Sequence, residues 1–453
     1  MTSTNNRSME KENIRDLVRE AGVVGAGGAG FPTHVKLSCK AHVVIANGAE
    51  CEPLLETDRH LMLREGQKIV EGLKLALKAV GAKEGIIAVK AKHGDIIGIF
   101  DSLLKYQRNI RLHLLDNFYP AGDEHVLVYE TTKGLVPMGG IPIDAGAVVL
   151  NVYTLSLIAD AYEGKPFTYR YVTVTGEVKR PAVARLAIGM TIREAIDKIG
   201  YGPRIDDYAV IVGGPMMGKL EENLDTPIQK TTGGIIVLPK DHTLVLQKDM
   251  PLRIAAKRAK SVCCQCNFCT QLCPRYLLGH PLKPHDMMRS LSWDMDSIDI
   301  GSIYSSSLCS ECGLCGYFAC TMGLQPHKVN SFYKGILARN KTSHVSWSGK
   351  DQQINEFREW RKVPTNRLIG RLGLDGYNDH LPFIDEQFRP KRLILPLKQH
   401  AGQQSKPVVR VGDRVVMGDI LATVPDGSLG ANLHSPMDGT VIRIDQNIVI
   451  DND

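Results

Sequence analysis

Nine of the 11 cysteines fall between Cys263 and Cys320, in two runs whose spacing is the strongest chemical signal in the sequence. VCCQCNFCTQLCPRY sets Cys263, Cys266, Cys269 and Cys273 at C-x2-C-x2-C-x3-C-P. LCSECGLCGYFACTMG sets Cys309, Cys312, Cys315 and Cys320 at C-x2-C-x2-C-x4-C, one residue longer and without the proline. Thiolates are soft ligands, and three at successive three-residue steps wrap a loop around one corner of an iron–sulfur cube. Structural zinc wants two separated ligand pairs around a tetrahedron. The pattern therefore favours two [4Fe–4S] clusters over zinc. Where two such clusters share a fold, the fourth cysteine of each run serves the other cluster. On that rule Cys263, Cys266, Cys269 and Cys320 hold one, and Cys309, Cys312, Cys315 and Cys273 the second. Cys264 breaks the step and is read as a non-ligand. Cys39 and Cys51 are read as small buried hydrophobes.

Such clusters carry single electrons, so a chain with two of them needs a group that splits electron pairs, and a flavin is the usual one. The stretch GAGGAGFPTHVK offers a place. Gly25, Gly27 and Gly30 satisfy G-x-G-x-x-G, but a dinucleotide fingerprint requires a preceding strand. Here Ile14, Leu17 and Val18 at helical spacing, closed by Gly22, put a helix in front of the loop. An ordinary Rossmann fingerprint is excluded. A phosphate cradle of bare backbone N–H groups is not.

The elements that must position these residues change character along the chain. Strand-like HVVIAN, GIIAVKA, RLHLL and AVVLNV alternate with helix-like REGQKIVEGLKLALKAVG and DIIGIFDSLLKY, which predicts a layered α/β domain over 1–165. A small α+β unit over 166–245 and helical patches around the cysteines over 246–340 come next. A polar linker over 341–390 and short strands with glycine turns over 391–453 complete the chain. At 453 residues, three or four domains are expected. The net charge of +6 is mild and no basic run is interleaved with aromatics, so nucleic-acid binding is not expected. The longest apolar runs are too short to span a bilayer, so no transmembrane segment is expected. MTSTNNRSMEKEN lacks the apolar core of a secretion signal, and a cytoplasmic location is expected.

Three motifs carry a family resemblance. GAGGAGFPTHVK resembles the flavin loop of the NADH-binding flavoprotein subunit of respiratory complex I, and VIANGAECEPLLETDRHLM resembles that family's next pocket motif. The resemblance implies FMN held by Gly25, Gly27, Lys36, Asn47 and Glu50, with Tyr119–Leu127 and Asn151 in the pocket and NADH as donor. Ala26 and His34 depart from the family, which has arginine and glycine there. GGPMMG (Gly213–Gly218) followed by two cysteine runs is similar to the C subunit of Rnf electron-transport complexes. The implied fold class is multidomain α/β plus α+β. It comprises a Rossmann-like FMN domain, an SLBB β-grasp domain, a helical two-cluster ferredoxin domain and a C-terminal all-β barrel-sandwich hybrid. In Rnf C subunits the hybrid domain comes first; its place at the C-terminus here resembles the cobalamin reductases of propanediol-utilisation microcompartments. That resemblance implies electron flow from NADH through FMN and two clusters to cob(III)alamin and cob(II)alamin, regenerating coenzyme B12 for 1,2-propanediol degradation. It also implies a corrinoid adenosyltransferase and shell or lumen proteins as partners, inside a bacterial microcompartment. The alternatives are an Rnf-type electron-entry subunit and a non-catalytic electron-wiring or scaffold protein. The hybrid domain resembles a lipoyl carrier, but TVPDGSLGANL, with Asp426-Gly427 near the tip, has no lysine for a swinging arm. A docking or structural role is expected.

Overall fold

Helix α1 (13–20) runs into the glycine loop, with Ile14 and Val18 one turn apart and buried; a single turn, α2 (Thr33–Lys36), leaves it. The computed structural model describes residues 13–290, 300–340, 352–377, 380–386, 388–425 and 427–452. After α2 come β1 (Val43–Gly48), β2 (Glu84–Lys90), β3 (Ile110–Leu115), a two-residue β4 (Phe118–Tyr119) and β5 (Ala147–Asn151). A fully parallel sheet is built in the order β3-β2-β1-β5. Helices α3 (Thr57–Val80), α4 (Gly94–Leu104), α5 (Glu124–Thr132) and α6 (Val152–Tyr162) complete this domain. Helix α6 carries no periodic signature in the sequence, because nine of its 11 residues are buried and no polar face remains to mark the period.

The second sheet holds β6 (Tyr169–Gly176), β7 (Ala182–Ala187), β8 (Tyr208–Val212), β9 (Lys219–Glu221) and β10 (Gly234–Pro239) around α7 (Ile192–Lys198). Thr191 caps α7 in a reciprocal box with Glu194. Helices then frame the cysteine loops: α8 (Thr243–Asp249), α9 (Leu252–Val262), α10 (Phe268–Gln271), α11 (Pro274–Leu277), α12 (Pro284–Ser290), α13 (Ile300–Ser305) and α14 (Pro326–Arg339).

The stretch read as a linker contains packed elements. Its first residues, 341–351, lie outside the described ones. Beyond them β11 (Val363–Pro364) pairs antiparallel with β4, and α15 (Thr365–Leu372) buries Leu368, Ile369 and Leu372 against Ile236, Leu244 and Leu314. β12 (Phe383–Ile384) then adds a parallel edge strand to β7. The polar composition hid this because the apolar residues of α15 are few and confined to one face. The last unit contains β13 (Arg392–Pro396), β14 (Lys406–Pro407), β15 (Arg414–Val415), β16 (Ile420–Thr423), β17 (Leu433–His434), β18 (Gly439–Ile444) and β19 (Asn447–Asp451). Two small sheets result, β13-β19-β18-β15 and β14-β16-β17. Asp426, read as part of the carrier-like tip, lies outside the described residues.

Helices α3 and α6 approach so closely that a Cβ on Gly72 would lie 1.8 Å from the Leu155 carbonyl oxygen. Gly72→Ala is expected to cost about 1–3 kcal/mol through the forced separation, read as a lower urea midpoint. Gly94→Ala, with nothing within 4 Å of the added Cβ, is expected to shift it far less.

Candidate cofactor-binding site

A cleft of about 720 Å³ opens where the parallel sheet, the second sheet and the cysteine-bearing helices meet. That volume is within the usual range for a ligand site. Gly25, Gly27, Lys36, Asn47, Glu50 and Asn151 all line it. The glycine loop is closed by Gly25 N–H donating to the Phe31 carbonyl at 2.8 Å and Gly30 N–H donating to the Gly25 carbonyl at 3.2 Å. Gly28 has φ +109 with nothing within 4 Å of a would-be Cβ, so the loop bares its backbone to the cleft. Ala26 takes no part in ligand contact by side chain: it is buried, its N–H donates to Thr154 Oγ1 at 3.0 Å and its carbonyl accepts from Arg170 Nη2 at 2.7 Å. Arg170, invisible to motif reading, also donates to the Lys230 carbonyl at 2.5 Å and to the Thr232 carbonyl, holding a buried cation on the cleft wall.

The polar residues divide between holding the wall and facing the space. Lys36 Nζ donates to Glu124 Oε1 at 2.7 Å and to the Val149 carbonyl at 3.2 Å. Asn47 Nδ2 donates to the Gly122 carbonyl at 2.9 Å. The Glu50 carboxylate accepts from the backbone N–H of Asp58 and Arg59 at 2.6 and 2.8 Å, completing the first turn of α3. Asn151 caps α6 through Oδ1 and donates to Asp58 Oδ2 at 2.7 Å. Burial, then the neighbouring Asp58, pushes the Glu50 carboxyl up, and burial pushes Asp58 up to about 6 against the pull of Asn151 and Arg170. Glu52 accepts from Met216 N–H and Met217 N–H, each at 2.8 Å, which clamps GGPMMG onto the first domain. Met216 is core, whereas Met217 is exposed and lines the cleft. Cys51 also lines it, its thiol pushed up to about 11 by burial. Thr33 Oγ1 is buried on the cleft wall with no partner. Open loop backbone, an orphaned hydroxyl and two cations fit an anionic ligand such as the FMN phosphate.

The cysteines form two sites. Cys263, Cys266, Cys269 and Cys320 line one void, and Cys273, Cys309, Cys312 and Cys315 line another, so each run sends its fourth cysteine to the other site. Cys264 also lines the first void and is exposed. Among the described residues no three His, Cys, Asp or Glu side chains close on a site for a single ion; the thiols stand around wider voids. The two loops share a backbone device. Gln265 and Asn267 have φ of 55 and 62, and Glu311 and Gly313 have φ of 59 and 76. These are the second and fourth residues after Cys263 and after Cys309. Three of the four carry side chains in a conformation that costs free energy, which marks loops shaped for what they enclose. The extra residue before Cys320 is absorbed by a π-helical turn, Cys315–Ala319, where the shorter run has the α-helical α10. Leu324 N–H donates to Cys320 Sγ and Glu311 N–H to Cys309 Sγ, both at 3.4 Å. Burial pushes the Cys269 and Cys273 thiols up to about 12, so thiolates here require a cation such as iron beside them. His327, with Nδ1 buried and unpartnered, lines the second site, as does Asn330; neither has a sequence signal.

The fold and the two kinds of site define a flavin- and iron–sulfur-dependent oxidoreductase. Family models match in the same order: the Nuo51 FMN-binding domain over residues 18–160, the SLBB domain over 171–220, the 4Fe-4S dicluster domain over 262–325 and the RnfC barrel sandwich hybrid domain over 380–453. The chain is 40% identical over 443 residues to cobalamin reductase PduS of Salmonella typhimurium strain LT2, covering 98% of this chain and 97% of that protein. It is also 40% identical to cobalamin reductase PduS of Citrobacter freundii, covering 97% of each. The C subunit of the Na(+)-translocating ferredoxin:NAD(+) oxidoreductase complex of Acetobacterium woodii is 37% identical over 292 residues, covering 63% of this chain and 62% of that one. The chain belongs to the cobalamin reductase PduS family.

Asp58 keeps its proton to higher pH in the folded protein than in the unfolded chain, so its ionisation removes stability as pH rises from about 4 through 6. Asp58→Asn preserves an acceptor for Asn151 and lacks that titration. The urea midpoint of the variant relative to the parent is expected to increase between pH 4.5 and 7.5.

Proposed function

We propose that this chain draws electron pairs from NADH at the cleft and passes them singly through the two cysteine sites to a cobalamin. The observation that carries the reading is a shared wall: Ser310 and Cys312 line both the cleft and the second cysteine site. Bound FMN would accept hydride, and [4Fe–4S] clusters would carry its electrons one at a time. The chain's own residues supply the rest. The loop Gly25–Gly30, Thr33, Lys36 and Arg170 present donors and positive charge for the flavin phosphate. Asn47, Glu50 and Asn151 hold the wall beside the loop through the bonds described above, with Asn151 against Gly27, and Glu52 keeps the second sheet in place. The eight thiols, four to each void, are the cluster ligands. The Tyr119 hydroxyl, on the cleft wall, donates to the Cys312 carbonyl at 2.7 Å and fixes that boundary.

Near-complete coverage of proteins named cobalamin reductase supports cobalamin as the acceptor. It likewise supports a place in a propanediol-utilisation microcompartment, beside a corrinoid adenosyltransferase and shell or lumen proteins. Among the described residues no helix is long and apolar enough to cross a membrane. The C-terminal unit fits a structural role, because it packs on the back of the flavin loop. Ala401 N–H donates to the Gly30 carbonyl at 3.0 Å, and Lys230 Nζ joins the Gly22 and Asn432 carbonyls at 2.7 Å each.

Anaerobically purified protein is expected to contain about eight iron and eight sulfide per chain and to reduce hydroxocobalamin with NADH. Absence of turnover with flavin and iron in place would sink the assignment. Cys273→Ser is expected to halve the iron and to remove the electron paramagnetic resonance signal of the Cys309–Cys312–Cys315 site, leaving that of its neighbour. Lys36→Ala should weaken FMN retention about tenfold, the worth of one charge-assisted contact.

A further inference from the structure

The two cysteine sites are not equivalent. Cys273, Cys309 and Cys315 are buried, and their site shares Ser310 and Cys312 with the cleft. In the other site Cys266 is exposed, together with Gln265 and Asn267 of the same loop, and no lining residue is common to the cleft. One site is inner and one outer.

The surface around the outer site is chemically distinct. Met322, on the wall of the void, is 41% exposed, and Phe268 and Val262, each next in sequence to a cysteine or loop residue that lines it, are 46% and 39% exposed. Helix α9 ends on Cys263, its C-cap. Along α9, Arg253, Lys257 and Lys260 stand at i, i+4 and i+7, a single exposed stripe, with Arg258 beside it and Ala255 and Ala259 buried behind. The 35 residues 251–285 contain six Lys and Arg and no Asp or Glu. Among the described residues no carboxylate pairs with any of the four cations of α9; Arg258 reaches only the Met250 sulfur, at 3.9 Å. Exposed apolar residues beside charges of one sign suit a docking surface, and cations with no carboxylate partner among the described residues steer a complementary partner.

We propose that electrons leave through the Cys263–Cys266–Cys269–Cys320 site, and that α9 docks an acidic protein bearing the electron acceptor. The inference rests on the electron path proposed above. A free corrinoid carries a single phosphodiester, which one or two of these cations would satisfy. Three aligned cations along a helix about 16 Å long, with apolar residues exposed near its C-terminal end, match a protein face instead. The balance is simple: each NADH yields NAD+, a proton and two electrons, and two one-electron transfers across this surface remove them.

The test uses holoprotein, NADH, and two acceptors: an acidic flavodoxin as the protein probe and free hydroxocobalamin. Lys257→Glu combined with Lys260→Glu is expected to leave flavin bleaching by NADH and the resonance signals of both clusters unchanged. Transfer to flavodoxin should fall at least tenfold at low salt, and the parent's rate should fall with rising ionic strength. Transfer to free hydroxocobalamin should change less than twofold. Cys269→Ser should still show flavin bleaching and reduction of the inner cluster, with transfer to flavodoxin lost. Flavodoxin transfer indifferent to salt and charge reversal, equal slowing of the free corrinoid, or transfer that survives Cys269→Ser would each overturn the proposal. A parent protein whose bound flavin is not bleached by NADH would defeat the earlier reading instead.

Discussion

The hydrogen bond from the Tyr119 hydroxyl to the Cys312 carbonyl joins the parallel-sheet domain to a cysteine loop at the boundary between the cleft and the inner site. A two-electron site and a one-electron site can exchange electrons only while that boundary stays thin and fixed. Much of the surrounding structure holds it so. Arg275, two residues after Cys273, pairs with Asp123 at 2.9 Å, both nearly buried. The α15 segment packs against both the second sheet and the cysteine helices, and β11 pairs with the strand that carries Tyr119. Breaking one member of a buried pair such as Arg275–Asp123 leaves an uncompensated charge, which makes relative movement of the two domains costly.

On the other side of the cleft, cations and carbonyls take over the same task. Arg170 and Lys230 are buried without a hydrogen-bonded carboxylate; both are satisfied by backbone carbonyls from separate parts of the chain. Burial pulls the Lys230 ammonium down to about 7. These side chains tie the glycine loop to the second sheet and the C-terminal unit. The hybrid domain has therefore become part of the flavin loop's support, consistent with its lack of a carrier lysine.

The departures from the complex I pattern acquire a physical meaning in this setting. Ala26 stands where that family has an arginine, and its buried methyl leaves no room for a long side chain. The guanidinium on this wall comes from Arg170 on β6, bonded to the Ala26 carbonyl. His34, half-buried, keeps an unpartnered Nδ1 and a pKa lowered by burial and then by the charge of Arg19.

Local chemistry was written plainly in the sequence. Cysteine spacing needs only a few residues to specify a loop, so the two runs, their exchange of fourth cysteines and the helix before the glycine loop could be read without a fold. The strands of the parallel sheet announced themselves as apolar runs between turns. Other features depend on contacts between distant segments and leave no local trace. Arg170 reaches Ala26 across 144 residues, and Tyr119 reaches Cys312 across 193. The packed role of α15 and the burial of α6 were hidden because composition reports polarity and not neighbours. Which site lies inside and which faces solvent is likewise a property of packing: two nearly identical thiol patterns became unlike only when the fold set one against the cleft and left the other at the surface.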